Sequence, residues 1–281
     1  MIRLAAIALL GSTTLVAMQP TFSSRVEGIR VDVLVTDSSR RPLHGLTAAD
    51  FSIRDNGIPQ EVDVVSYGET SLNVGLAFDL SESVVGEPLE RLRAASRALT
   101  LELQPADRMA LVTFDQIVTL RCPLSASNRS CANDALAAAT PAGETALVDG
   151  VFAGMMVGES DAGRSLLMVF SDGLDIASWL SADRVLEIGR RSDVVVYPIT
   201  SKGTRPAFLG DLADLTGGRL HEVEPNDDLS ATFRTILDEF RHRYLLTYTP
   251  KNVAKDGWHK LEVKVNRSGA RVKARPGYQG G

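Results

Sequence analysis

From Ile29 the chain alternates. Ile29, Val31, Val33 and Val35 are apolar, with Arg30, Asp32, Leu34 and Thr36 between them, which is the period of a strand with one strongly apolar face. Asp37-Ser38-Ser39-Arg40-Arg41-Pro42 reads as a turn, and residues 46–50 as one helical turn capped by Thr47. Phe51 and Ile53, then Asp55-Asn56-Gly57, then Val62 and Val64 predict a hairpin, because Asn-Gly accepts the positive φ of a tight turn. Residues 29–67 are therefore expected to form a small β module. Beyond residue 72 the pattern changes. Short unbroken apolar runs at 74–77, 109–114, 166–170 and 194–199 read as buried strands, with 117–120 pairing back on 109–114. Between them apolar residues recur at steps of three and four. Leu89, Leu92, Ala95, Leu99 and Leu103 mark one helix, and Leu229, Phe233, Ile236, Leu237 and Phe240 another, which Asn226 or Asp227 can cap. Further helices are expected from about 132, over 146–156, from about 182 and near 209–215, with a strand at 219–222. Strands alternating with helices predict an α/β fold over residues 72–242, a doubly wound and mostly parallel sheet flanked by helices. Residues 243–278 return to strand alternation, with 244–249, a turn at Asp256-Gly257, then Leu261, Val263 and Val265, and finally Val272 and Ala274. So few strands are marginal alone, so the two flanks are expected to share one module.

Composition narrows the picture. With 44% hydrophobic and 23% charged residues in 281, the chain can build a sizeable core and is not disordered. The formal net charge of −5 is unevenly spread, since residues 251–281 are rich in Lys and Arg. These cations alternate along expected strands and form no compact run, which argues against a nucleic-acid partner. Residues 1–18 read as a signal peptide: Arg3 supplies charge, residues 4–16 are largely apolar, and Gly11, Ser12 and Ala17 are small. The apolar stretch is too short for a stable membrane span, so a periplasmic or extracellular location is expected. In an exported protein the only two cysteines, Cys122 and Cys131, close in sequence, read as a disulfide. His44, His221, His242 and His259 are scattered and have no metal-binding spacing.

The candidate chemistry lies at strand ends. Phe78-Asp79-Leu80-Ser81-Glu82-Ser83 ends the run at 74–77 and places one carboxylate and two hydroxyls on the following loop. Gly143-Glu144-Thr145 and Ser171-Asp172-Gly173 supply further oxygens, the second directly after the run at 166–170. The crevice beyond the carboxyl ends of strands is where open α/β sheets bind ligands. Carboxylates and hydroxyls without Cys or His suit hard divalent cations.

D-x-S-x-S, a later Thr-bearing loop and an S-D-G closing an apolar strand resemble the von Willebrand factor type A (VWA) domain and its metal-ion-dependent adhesion site (MIDAS). Residues 29–67 resemble the short segment that precedes the VWA domain in exported bacterial VWA-related proteins, a group frequent in acidobacteria. The resemblance covers residues 72–242 and implies metal ligation by Asp79, Ser81, Ser83, Thr145 and Asp172. Mg²⁺ is the expected ion, with Mn²⁺ or Ca²⁺ as alternatives, because Mg²⁺ favours octahedral oxygen shells and retains water. The resemblance further implies a non-catalytic protein-binding or adhesion module whose partner completes the metal shell with an Asp or Glu carboxylate. A scaffold or assembly protein with a structural metal is the alternative reading. A hydrolase fits less well: an aspartate phosphatase loop expects a second Asp where Ser81 stands, and no G-x-S-x-G, H-E-x-x-H or P-loop occurs.

Overall fold

The computed structural model describes residues 28–160, 162–171, 174–204 and 206–281. The expected signal peptide and Asp172 lie outside the described residues. The N-terminal flank contributes strands β1 (Ile29–Thr36), β2 (Phe51–Asp55), β3 (Ile58–Gln60) and β4 (Val64–Tyr67). Asn56 and Gly57, at φ 48° and 80°, make the tight turn between β2 and β3. Next come β5 (Leu72–Asp79), helix α1 (Glu87–Glu102), β6 (Arg108–Phe114), β7 (Val118–Ser125), α2 (Arg129–Ala137) and α3 (Leu147–Gly158). They are followed by β8 (Arg164–Ser171), α4 (Ala182–Arg191), β9 (Val195–Ser201), α5 (Ala207–Thr216), β10 (His221–Val223) and α6 (Leu229–Arg241). The C-terminal flank supplies β11 (Tyr244–Tyr248), β12 (Gly257–Val265), β13 (Arg271–Lys273) and β14 (Gly277–Gly280).

The expected doubly wound sheet is present, with strand order β10-β9-β8-β5-β6-β7, parallel except for the edge strand β7. All eight residues of β5 and of β8 are buried, as their unbroken apolar runs require of strands covered on both faces. Leu92, Ala95 and Leu99 of α1 and Phe233, Ile236, Leu237 and Phe240 of α6 cover one face, joined by Ala132 and Leu136 of α2. Leu147, Val151 and Met155 of α3, with Val185 of α4 and Leu209 and Leu212 of α5, cover the other. From β5 the chain winds outward to β6 and β7, then returns to place β8 on the opposite side. The switch in winding direction therefore falls at β5, where such sheets form their ligand crevice.

The two flanks interleave in two four-stranded sheets, β13-β1-β11-β4 and β14-β12-β2-β3. Val31, Val33, Val35, Tyr244 and Leu246 from the first pack on Phe51, Ile53, Leu261 and Tyr278 from the second, so neither flank could bury its apolar face alone. Deep between the sheets, Asp55 accepts hydrogen bonds from the Tyr248 and Tyr278 hydroxyls, both at 2.9 Å, and lies 2.8 Å from His259 Nδ1. The sequence pattern ends its strands at Ala274, whereas residues 277–280 add β14 against β12.

The module docks on the end of the large sheet where the parallel strands begin. Arg164, the first residue of β8, donates from Nε to Asp32 at 2.7 Å and from Nη2 to the Phe240 carbonyl at 3.0 Å. Arg30 donates to the Gly163 carbonyl, and Arg275 donates to Asp193 at 3.1 Å and to the Arg190 carbonyl at 2.9 Å. Eight-residue strands place this junction roughly 23 Å from the strand ends at Asp79 and Ser171. Cys122 of β7 and Cys131 of α2 form a disulfide with Cα atoms 6.2 Å apart, pinning the antiparallel edge to its covering helix. At α6 the cap is Asp228, which accepts from the Ala231 amide at 3.1 Å. Asp227 is engaged instead with the Glu224 amide at 2.7 Å, which moves the cap one residue on. Among the described residues no helix is long and apolar enough to cross a membrane.

Candidate functional site

In register, Phe78 of β5 lies beside Phe170 of β8, so Asp79 and Ser171 end adjacent strands at the switch point. The Ser171 hydroxyl donates to Asp79 Oδ2 at 2.7 Å, and the Ser81 amide donates to Asp79 Oδ1 at 2.9 Å. Both carboxylate oxygens are thus oriented, and the Asp79 side chain is held rigidly in a fully buried position. The loop then turns upward. The Ser81 and Ser83 hydroxyls stand 3.0 Å apart, with Ser81 at 2% exposure and Ser83 at the surface.

Backbone hydrogen bonds clamp the neighbouring loops to this one. The Leu80 amide donates to the Phe114 carbonyl at 2.7 Å, the Ala142 amide to the Leu80 carbonyl at 3.0 Å, and the Glu82 amide to the Gly143 carbonyl at 3.1 Å. Thr145 sits buried between loops. Its carbonyl accepts from the Ile176 and Ala177 amides at 2.9 and 3.1 Å, and the next residue, Ala146, donates to the Asp115 carbonyl at 2.8 Å. Gly150 lets α3 press against the sheet, since a Cβ there would lie 2.2 Å from Phe114 Cδ1. That approach sets the height of the Thr145 loop.

The third loop carries features that sequence reasoning missed. Asp149 of α3 accepts from the Trp179 and Leu180 amides, both at 2.9 Å, and Asp175 accepts from the Val148 amide at 3.2 Å. On this pinned segment Trp179 is 95% exposed, and Ile176 and Leu174 also face solvent. Trp179, Leu180, Ile117, Val118, Asp149 and Phe152 line an open groove of about 440 Å³ beside α3. The available signal was a Trp amid turn-forming residues in Asp175-Ile176-Ala177-Ser178-Trp179, where no apolar period demands one. The oriented hydroxyl of Ser171 was likewise not among the expected site residues. The structure gathers Asp79, Ser81 and Ser83 on one loop and ties the Thr145 loop to it, while Asp172 falls outside the described residues. The site is hydroxyl-rich, and among the described residues no cluster of three or more His, Cys, Asp or Glu side chains occurs.

Solved structures with the same architecture carry only low sequence identity. Proximal thread matrix protein 1 from the mussel byssus, with a zinc-occupied MIDAS motif, superposes at a TM-score of 0.55 and 17% identity over 65% of this chain and 48% of that one. A second crystal form of that protein gives a TM-score of 0.53 at 16% identity over 74% of this chain and 50% of that one. The fold is of the VWA type. An aerotolerance-related membrane protein from Bacteroides fragilis NCTC 9343, with multiple mutations to serines, gives a TM-score of 0.50 at 16% identity over 60% of this chain and 98% of that one. No protein-family model and no curated relative matches the sequence. The VWA-type architecture occupies the central α/β portion, and the interleaved β flanks are built onto its far end.

Proposed function

We propose that this protein is a non-catalytic, exported binding module that engages a protein partner through a divalent cation held at the β5 loop. The observation that carries the reading is the arrangement at the switch point: an oriented, buried carboxylate beneath two hydroxyls 3.0 Å apart. The donor set fits such an ion. All its atoms are oxygen, and a 3.0 Å separation is the edge that an octahedral shell of radius roughly 2.1 Å imposes on adjacent ligands. Ser81, Ser83 and Thr145 would hold the ion directly or through water, with Asp79 and Asp172 supplying negative charge. Mg²⁺ suits this set best, with Mn²⁺ and Ca²⁺ as substitutes. When bound, the ion supplies net positive charge and an open position for an incoming oxygen ligand. Neutral hydroxyl ligands leave that charge largely uncompensated, so an Asp or Glu carboxylate of the partner is the natural last ligand. The Trp179 rim supports the same reading, because an exposed aromatic on a pinned loop offers contact area at little cost in entropy.

A peptide library panned over the immobilised protein in Mg²⁺ and eluted with chelator tests this directly. Eluted peptides should share an Asp or Glu and fail to bind a Ser81→Ala/Ser83→Ala variant. Equal recovery from the variant, or with chelator present throughout, contradicts the proposal.

A further inference from the structure

At the junction between the β module and the VWA-type domain lies a second cleft, about 370 Å³ in volume. Arg40, Arg219, Arg271 and Lys273 line it together with Thr36, and Glu239 is the one carboxylate among its described lining residues. These cations come from separate parts of the fold. Arg40 sits in the turn after β1, Arg271 and Lys273 on the edge strand β13, and Arg219 just before β10 in the α/β domain.

Lysine and arginine on an edge strand are ordinary protection against strand pairing, which accounts for Arg271 and Lys273 alone. It does not account for Arg40 or Arg219. Arg40 occupies left-handed backbone at φ 65°, a conformation that costs a non-glycine side chain on the order of 1 kcal/mol. The turn carboxylate, Asp37, is taken by Arg41, with Nε at 2.9 Å, so Arg40 is left facing the cleft. Among the described residues neither Arg40 nor Arg271 has a carboxylate within ion-pair distance. Arg219 is only loosely paired, 3.8 Å from Glu239, and Glu239 also accepts from the Tyr197 hydroxyl at 2.5 Å. Lys273 is paired with Asp214, its Nζ 3.1 Å from Oδ1, so the unneutralised charge rests on Arg40, Arg271 and the loosely held Arg219, around a Glu239 that is already engaged.

We propose that this cleft binds a small polyanion, a phosphate- or carboxylate-bearing molecule with at least two negative charges. Guanidinium forks match both oxyanion types, clefts between domains are common ligand sites, and the volume falls in the range of small-molecule pockets. The cleft is independent of the metal site, at the opposite end of the large sheet.

Calorimetric titration with pyrophosphate and with citrate, in metal-free buffer at fixed salt, separates the two sources. Wild type should bind at least one of them, and whichever binds more tightly names the chemistry. Arg40→Gln/Arg271→Gln, changing two solvent-exposed residues, should lose about tenfold or more per guanidinium removed. Lys251→Gln, which alters an exposed lysine elsewhere on the β module, should bind as wild type does. No binding of either anion, or equal loss in Lys251→Gln and in the double variant, overturns the proposal. Ser81→Ala should leave this binding unchanged.

Discussion

Replacing Asp32 should loosen the β module from the VWA-type domain. Arg164 is 1% exposed, and its guanidinium meets Asp32 Oδ1 through Nε at 2.7 Å and Nη2 at 2.5 Å. Asp32→Ala leaves that buried guanidinium, among the described residues, with the Phe240 carbonyl at 3.0 Å and the Phe240 ring 4.8 Å from its Cζ. Breaking one side of a buried ion pair costs about 3–5 kcal/mol, because the surviving charge has lost its water and gained nothing. For a chain of this size that corresponds to a fall in Tm of roughly 6–20 °C. Urea unfolding followed by circular dichroism measures the loss. Asp32→Leu/Arg164→Met supplies the control, since an apolar pair in the same volume removes the stranded charge and should recover most of the stability. A loss below about 1 kcal/mol for Asp32→Ala, the worth of a surface pair, would refute the reasoning. So would a double variant as unstable as the single one.

Further outcomes follow from other contacts. Cys122→Ala/Cys131→Ala should lose about 2–3 kcal/mol for a loop this short, read by the same unfolding assay. Gly150→Ala should cost about 1–3 kcal/mol by driving a methyl into the Phe114 ring, and should weaken metal binding because α3 carries the Thr145 loop. A metal affinity unchanged in that variant would show that α3 does not set the site's height. Burial, reinforced by the nearby Arg219 and Lys273 and opposed by Glu239, holds the His221 imidazole below its ordinary value of 6.5. The unfolded chain therefore takes up this proton first as pH falls, so stability should decline below about pH 6.5. His221→Gln should flatten that part of the profile, and an identical slope in the variant would assign the dependence to another group.

Much of this arrangement is legible in the sequence because two signals agree locally. Val74–Ala77 and Leu166–Phe170 are unbroken apolar runs, which only strands covered on both faces require, and each ends in polar residues that the switch point then brings together. Asn56-Gly57 specifies its turn just as directly. What escaped depends on contacts between distant segments. The hydrogen bond from Ser171 to Asp79 needs strand register, which one-dimensional spacing does not contain. The Asp228 cap depends on Asp227 being drawn to the Glu224 amide instead. β14 forms on Gly277 and Gly280, which have no alternation to read, because β12 offers them an edge. The basic residues of the C-terminal flank look like routine strand decoration until Arg40 and Arg219 arrive beside two of them. The exposure of Trp179 likewise has meaning only once its loop is seen pinned by Asp149 beside the Thr145 loop.

Whether the β5 loop holds a divalent cation is read without a partner by Mn²⁺ titration monitored by electron paramagnetic resonance. Free Mn²⁺ gives a sharp signal that binding broadens, so its loss reports site occupancy. Wild type should take up one equivalent, released by excess Mg²⁺, while a Ser81→Ala/Ser83→Ala variant with an unchanged circular dichroism spectrum should take up none. An equal loss of free signal in both proteins would contradict the assignment.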